Sequence, residues 1–345
     1  MASVFRWLVS VALSFVAAGA LAAPMQGVQV RLSAPTPVLV GDTDVAITVS
    51  VTNTTRHPVQ VLRWQLPDEE VESALFKITR ENGERVRYTG ALVKRAAPQA
   101  SDFVRIEAGA TLDYAVELTT AYDLSRSGRY AIEYAARGTH SKQRDSLHSE
   151  TLYLWLEGRS QKSSMGAPPA PMAAAAPTYN ACSTTQQTQL SEAVTQAVTY
   201  AAGAVSYLNT INSGTQRYTQ WFGAYTSARE ATALDHFQKV HTAFTTQNLS
   251  FDCKCKRRGT FAFVYPNQPY KIYLCGAFWS APLAGTDSRG GTLIHEMTHF
   301  TVVAGTSDHA YGQTNAAALA ISDPDLALNN ADSHEYFAEN TPALP

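Results

Sequence analysis

The chain has 345 residues, and 27 lysine and arginine residues against 29 aspartate and glutamate residues give it a formal net charge of −2. This near-neutral balance excludes the basic surface by which proteins hold nucleic acid, so we expect no nucleic-acid partner. Hydrophobic residues make up 45% of the sequence, which is enough to build a core and excludes disorder of the whole chain.

The N-terminus has the pattern of a secretory signal peptide, which we place at residues 1–22. Arg6 supplies the positive charge, an apolar stretch runs from Trp7 to Leu21, and small residues precede a cleavage site after Ala22. A signal anchor that stays in the membrane is the alternative. No later stretch approaches the ~20 uninterrupted apolar residues of a membrane-spanning helix. We therefore expect a secreted, extracellular protein without a membrane partner once the signal is removed.

Residues 23–160 alternate apolar and polar side chains in short runs that are separated by turn residues. Residues 45–51 (VAITVSV) are one such run, and Asn82-Gly83 is one of the turns. Strands of period two at this spacing predict an antiparallel, Ig-like β-sandwich, in which no chemical motif is visible. Residues 161–177 are rich in alanine and proline and predict a linker open to proteolysis.

Residues 178–345 have a different pattern. Apolar residues recur every three or four positions between 184 and 211, which predicts an amphipathic helix, and residues 229–249 are also expected to be helical. Residues 260–265 and 271–275 flank a Pro-Asn-Gln-Pro turn and predict a β-hairpin. Helices return from about residue 291. This part is therefore predicted to be a mainly helical α+β domain with a small sheet.

Four cysteines lie in this second half, at Cys182, Cys253, Cys255 and Cys275. Export to an oxidising compartment favours disulfides, and the spacing of Cys253 and Cys255 is too tight for a zinc knuckle. On an extended strand these two side chains point to opposite faces, so each is expected to bond elsewhere. Of the pairings that remain, we choose Cys182 with Cys253 and Cys255 with Cys275.

A metal-binding pattern occurs at residues 295–299, His-Glu-Met-Thr-His. On a helix, His295 and His299 share a face and can bind one metal ion, while Glu296 lies beside the open coordination position. A catalytic zinc usually has a third protein ligand. The metzincin pattern would place a glycine and a histidine at 302 and 305, but Val302 and Gly305 stand there, so that subclass is excluded.

The sequence HEMTHF followed by GTSDHAYG resembles the aspzincin signature of the deuterolysin family. The resemblance implies one zinc ion per chain, with His295, His299 and Asp308 as its ligands. It also implies that Glu296 is the general base and that Tyr311 stabilises the oxyanion.

Two other ligand sets stay open. His309, next to Asp308, is a local alternative, and Glu335 would complete a zincin with a glutamate ligand. A secreted binding protein with a non-catalytic zinc site is the alternative of a different class. Three protein ligands plus a candidate base favour catalysis over a closed structural site.

Residues 178–345 are further similar to the peptidyl-Lys metalloendopeptidase branch of that family, in TYNAC, RYTQWFG and NADSHEYFAEN. The spacing of the four cysteines is also similar and supports the pairing chosen above. The resemblance implies a zincin-like fold and an acidic S1′ pocket at Asp332 and Glu335. Independently, residues 290–345 contain no lysine or arginine against seven acidic residues, which favours a pocket for a positive side chain.

These features predict a secreted zinc endopeptidase that cuts protein or peptide substrates before a P1′ lysine. A broader, deuterolysin-like specificity is the alternative. Residues 23–160 are expected to be a propeptide that inhibits its own chain, with the loop around Lys94-Arg95 supplying a cation to the acidic pocket, or else a permanently attached binding module. Maturation is expected to cut the linker, with the enzyme starting at Lys162 or near Thr178.

Overall fold

The computed structural model describes residue 25 and residues 27–67, 71–96, 98–136, 146–160 and 176–345. The predicted signal peptide lies outside the described residues, as does most of the predicted linker. Among the described residues, no helix combines the length and the apolar character needed to cross a bilayer.

Strands dominate the described chain up to residue 160. In chain order they are β1 (Val28–Ser33), β2 (Val38–Val40), β3 (Ala46–Asn53), β4 (Val59–Leu62), β5 (Phe76–Arg80), β6 (Leu92–Arg95), β7 (Phe103–Ile106), β8 (Thr111–Glu117), β9 (Gly128–Ala136), β10 (Leu147–His148) and β11 (Leu152–Glu157). Strands β1, β3 and β8 form one antiparallel sheet. Strands β10, β9, β11 and β2 form a second sheet, in which β5 also pairs with β9, and β4 pairs separately with β7.

The alternation of side chains accounts for these strands. In β3, Ile47, Val49 and Val51 are buried, while the residues between them are only partly buried. Tyr130 and Ile132 of β9, in the other sheet, belong to the same hydrophobic core. The two sheets therefore share one core, as strands of period two require. The Ig-like topology stays a prediction.

Helices dominate the chain after residue 176. They are α1 (Thr184–Leu208), α2 (Gln216–Phe222), α3 (Ser227–Thr246), α4 (Gly276–Ser280), α5 (Arg289–His299), α6 (Gln313–Ser322), α7 (Pro324–Leu328) and α8 (Ala331–Glu339). The strands of this part are β12 (Thr178–Asn180), β13 (Ser250–Asp252), β14 (Thr260–Val264) and β15 (Lys271–Leu274). The predicted mixture of helices with a small sheet is confirmed.

Helix α1 begins with a capping box, in which the side chains of Ser183 and Gln186 each accept a backbone N–H of the other. Its buried face contains Leu190, Ala193, Ala197, Ala201, Ala204 and Leu208. The spacing of three and four is the predicted one. Ala193 is buried in this face, whereas Val194 beside it is only half-buried.

Two disulfides close this domain, Cys182 to Cys253 and Cys255 to Cys275, with Cα atoms 5.0 and 4.7 Å apart. This is the pairing chosen from the sequence. The predicted hairpin is also present, since β14 and β15 pair antiparallel.

Strand β6 of the N-terminal part joins the sheet of the C-terminal part. The strand order there is β12-β13-β15-β14-β6, and β6 runs antiparallel to β14. Lys94 lies opposite Ala262, and Val93 lies opposite Phe263. The loop predicted at Lys94-Arg95 is therefore a strand. This strand places Lys94 near α5 and α8.

Candidate active site

Helix α5 carries the His-Glu-Met-Thr-His motif through the centre of the C-terminal domain. Ser288 caps it by accepting the N–H of Gly291, and every residue from Gly290 to His299 is buried. A Cβ atom at Gly291 would lie 2.0 Å from Glu339 Oε1, so a side chain there would displace the carboxylate of Glu339. The helix packs between α1 and α8, which fixes its orientation.

The side chains of His295, His299 and Asp308 converge on one point. Oδ1 of Asp308 lies 3.2 Å from His295 Nε2 and 3.4 Å from His299 Nε2. None of these atoms makes a hydrogen bond of good geometry within the described chain, although all are buried. Burial alone would raise the pKa of Asp308, but the neighbouring histidines hold it well below its usual range. Three buried atoms that can each donate an electron pair, that lack hydrogen bonds and that face one another are typical of a metal site.

The second ring nitrogen of each histidine, Nδ1, lies close to an oxygen atom. Nδ1 of His295 lies 2.8 Å from Asp332 Oδ1 and 3.3 Å from Glu335 Oε2. Nδ1 of His299 lies 3.1 Å from the carbonyl oxygen of Thr306, in the turn that follows the helix. Such partners orient a histidine so that its free nitrogen can bind a metal.

Glu296 lies beside the first histidine and is fully buried. Neither carboxylate oxygen has a hydrogen-bond partner within the described chain. Burial is the main cause that raises the pKa of Glu296 to about 8, against the opposing effect of His295. A carboxyl group with a pKa in this range can both accept and return a proton near neutral pH.

A lysine from the N-terminal part occupies the acidic pocket behind this site. Nζ of Lys94 lies 2.6 Å from Glu335 Oε2, 3.2 Å from Asp287 Oδ1 and 3.7 Å from Asp332 Oδ1. Its side chain is 1% exposed. Burial would lower the pKa of Lys94, but the three carboxylates raise it well above its usual value, so the ammonium stays charged.

Next to Lys94, the hydroxyl of Tyr311 donates a hydrogen bond of 3.3 Å to the carbonyl oxygen of Val93. Burial raises the pKa of Tyr311 well above its usual value, so the phenol keeps its proton and remains a donor. Two groups of strand β6 thus contact predicted site residues. The carbonyl oxygen of Val93 contacts Tyr311, and the side chain of Lys94 contacts Glu335 and Asp332.

Comparison with known proteins then places the chain in a family. A model described as a lysine-specific metallo-endopeptidase, of the aspzincins, matches residues 207–339. An extracellular protease of Aeromonas hydrophila is 42% identical over 340 residues, which cover 94% of this chain and 96% of that protein. The peptidyl-Lys metalloendopeptidase of Grifola frondosa is 37% identical over 333 residues, which cover 92% and 94%. The chain belongs to the aspzincin family.

A solved zinc peptidase from Grifola frondosa covers 48% of this aspzincin and all of its own chain, at 52% identity and a TM-score of 0.46. The family model and the similar peptidyl-Lys metalloendopeptidases show that the aspzincin is a metalloendopeptidase, and zinc is the metal of its family. The unsatisfied nitrogen and oxygen atoms of His295, His299 and Asp308 fit this metal.

The two alternative ligands point elsewhere in the aspzincin structure. Nε2 of His309 lies 2.8 Å from Asn329 Oδ1, and its backbone N–H donates to Asn330. Glu335 lies on the Nδ1 side of His295, in contact with Lys94, rather than on the Nε2 side that faces Asp308.

Asp287 is the site residue that the sequence reasoning missed. Asp287 lies just before the cation-free stretch of residues 290–345 and immediately precedes the N-cap of α5. The sequence does contain a signal for Asp287, since Asp287-Ser288 places a carboxylate directly before the cap of the helix that carries the metal motif.

Proposed function

We propose that this aspzincin is a secreted zinc endopeptidase that cuts peptide bonds on the N-terminal side of lysine and is made as an inhibited proenzyme. The observation that carries the proposal is the buried Lys94 ammonium, 2.6 Å from Glu335 and beside the metal-binding cluster. The names of the similar peptidyl-Lys metalloendopeptidases support the same substrate class. Secretion rests on the predicted signal peptide and on the similar extracellular protease.

His295, His299 and Asp308 would hold one zinc ion per chain. When bound, zinc supplies a Lewis acid that polarises the scissile carbonyl and acidifies water. Glu296 takes the proton of the attacking water and returns it to the leaving amine. The Tyr311 hydroxyl donates to the carbonyl oxygen as negative charge develops there, as it donates to Val93 in the structure.

Carboxylates in the pocket would select the lysine side chain. A charge-assisted hydrogen bond contributes roughly 1.5 to 3 kcal/mol, so two of them discriminate against a neutral side chain by roughly two to four decades. The pocket is buried around Glu335, where water screens the charges least.

The N-terminal part would inhibit by imitating a substrate. Strand β6 extends the sheet beside the active site, Lys94 fills the acidic pocket, and the carbonyl of Val93 meets Tyr311. The Val93–Lys94 bond thus has both contacts expected of a scissile Xaa-Lys bond. A second contact, between Glu72 and Arg257, joins the two parts outside the pocket.

The proposed organisation follows from this arrangement. Residues 23–160 are the propeptide, 161–177 are the linker that is cut at Lys162 or near Thr178, and 178–345 are the peptidase. Sequencing the N-terminus of the mature enzyme distinguishes the two cut sites.

Digestion of a denatured protein by the mature enzyme, with and without a chelator, tests the activity. We expect new N-termini that begin with lysine, none that begin with arginine, and no cleavage after chelation. Termini of mixed identity would favour the broader, deuterolysin-like specificity. A complete lack of cleavage by the zinc-loaded protein would favour a binding protein.

A further inference from the structure

The three carboxylates around Lys94 are not equivalent. Asp332 is the farthest from the ammonium, at 3.7 Å, and each of its oxygens has a nearer contact elsewhere. Its Oδ1 lies 2.8 Å from His295 Nδ1, and its Oδ2 accepts the N–H of Gly312 at 2.6 Å. These contacts orient a histidine of the metal site and leave Asp332 little capacity for a substrate lysine.

Asp287 is closer to the ammonium, and its loop is fixed. Its Oδ1 lies 3.2 Å from Lys94 Nζ and also accepts a hydrogen bond of 2.8 Å from the hydroxyl of Tyr336. Its backbone has a left-handed φ of 52°, which aspartate tolerates better than most residues. The backbone N–H groups of Asp287 and Ser288 both donate to the carboxylate of Glu339, at 3.2 and 2.8 Å.

The carboxylates of Glu335 and Asp287 lie at different depths in the pocket. Glu335 is fully buried at its base, whereas the Asp287 side chain is 44% exposed and lies toward solvent. The ammonium lies between them. An incoming lysine therefore meets Asp287 on the solvent side and Glu335 at the base.

We propose that Asp287 is a specificity-determining residue that binds the ammonium of the substrate P1′ lysine together with Glu335, while Asp332 positions His295. The inference rests on the proposed cleavage before lysine. It gives Asp287 and Asp332 different functions, whereas the sequence pattern predicts a single acidic pocket at Asp332 and Glu335.

The test compares the mature Asp287→Asn and Asp332→Asn enzymes on matched Xaa-Lys and Xaa-Ala peptides. Asparagine at 287 still accepts the hydrogen bond of Tyr336, so the loop is preserved. We expect Asp287→Asn to lower kcat/KM for the lysine peptide about tenfold, mainly through KM, because the carboxylate is partly exposed. Its zinc content should equal that of the wild type. Asp332→Asn should instead lower kcat and weaken zinc binding about 10- to 100-fold.

Asp325→Asn is the matched control, since it removes the same charge from the same domain on an exposed side chain paired with Arg229. A KM for the lysine peptide that is unchanged in Asp287→Asn would overturn the inference. If Asp287→Asn does not fold, Tyr336→Phe removes only the hydroxyl that orients Asp287, and an unchanged KM there would overturn it equally. A wild-type enzyme without preference for lysine would contradict the proposed function itself, a result that needs no variant.

Discussion

At the scale of single residues, Glu296 is the general base that we propose. Glutamine keeps its size but cannot accept a proton, so we expect Glu296→Gln to lose about 10²-fold or more in kcat. Its zinc content should not change, because the three ligands remain. Asp308→Ala should lose zinc as well as activity. Steady-state kinetics and metal analysis of the purified mature variants measure both effects.

Glu192→Gln, on the exposed face of α1, is the control for removal of a carboxylate outside the metal-binding cluster. A Glu296→Gln enzyme with the activity of the wild type would show that another group accepts the proton. Loss of zinc from that variant would mean that Glu296 is a ligand rather than the base.

At the scale of elements, local patterns were predictable and long-range contacts were not. Helix α1 was predictable because its alanine and leucine residues recur at the spacing of one buried face. Helix α2 has only seven residues, too few to show a period. Strand β6 was expected as a loop, because it is stabilised by pairing with β14, more than 160 residues later, and nothing local encodes that partner. Asp287 can be seen in the sequence beside the cap of α5, but its contacts with Lys94 and Tyr336 involve distant segments that the sequence does not reveal.

Helices α3 and α8 are joined by a histidine pair that makes stability depend on pH. Nδ1 of His236 lies 2.9 Å from Nε2 of His334. Burial is the main cause that lowers the pKa of His236 to about 4 and that of His334 to about 3. In the unfolded chain both titrate near 6.5, so the unfolded state binds more protons between these values. The folded state should therefore lose stability as pH falls from about 6.5 to 4.

Denaturant unfolding of the Glu296→Gln full-length protein at several pH values measures this effect. Adding His236→Gln should reduce the slope of the unfolding free energy by about one proton, or about 1.4 kcal/mol per pH unit, in this interval. His57→Gln, at an exposed position, is the control. An identical slope in the His236→Gln protein would show that the pair does not titrate on unfolding.

At the scale of the whole molecule, the N-terminal part contacts the C-terminal part through a buried charge cluster, strand β6 and the Glu72–Arg257 pair. Lys94 is the only lysine or arginine that pairs with Glu335, Asp332 and Asp287 among the described ion pairs of the pocket. Removing one partner of a buried pair costs about 3 to 5 kcal/mol, because the remaining charges stay buried without compensation. Lys94→Met should therefore weaken docking of β6 by about 10²-fold or more.

For the proposed proenzyme, the expected consequence is activity before the linker is cut. We expect intact Lys94→Met protein to cleave a short Xaa-Lys peptide while the wild-type proenzyme does not, as measured by peptide turnover with the intact mass followed in parallel. Lys77→Met is the matched control, because Lys77 lies in the same N-terminal part but pairs with Glu133 at the surface. An intact Lys94→Met proenzyme as inert as the wild type would assign the inhibition to the strand pairing of β6, since the pairing uses only its backbone and survives the substitution.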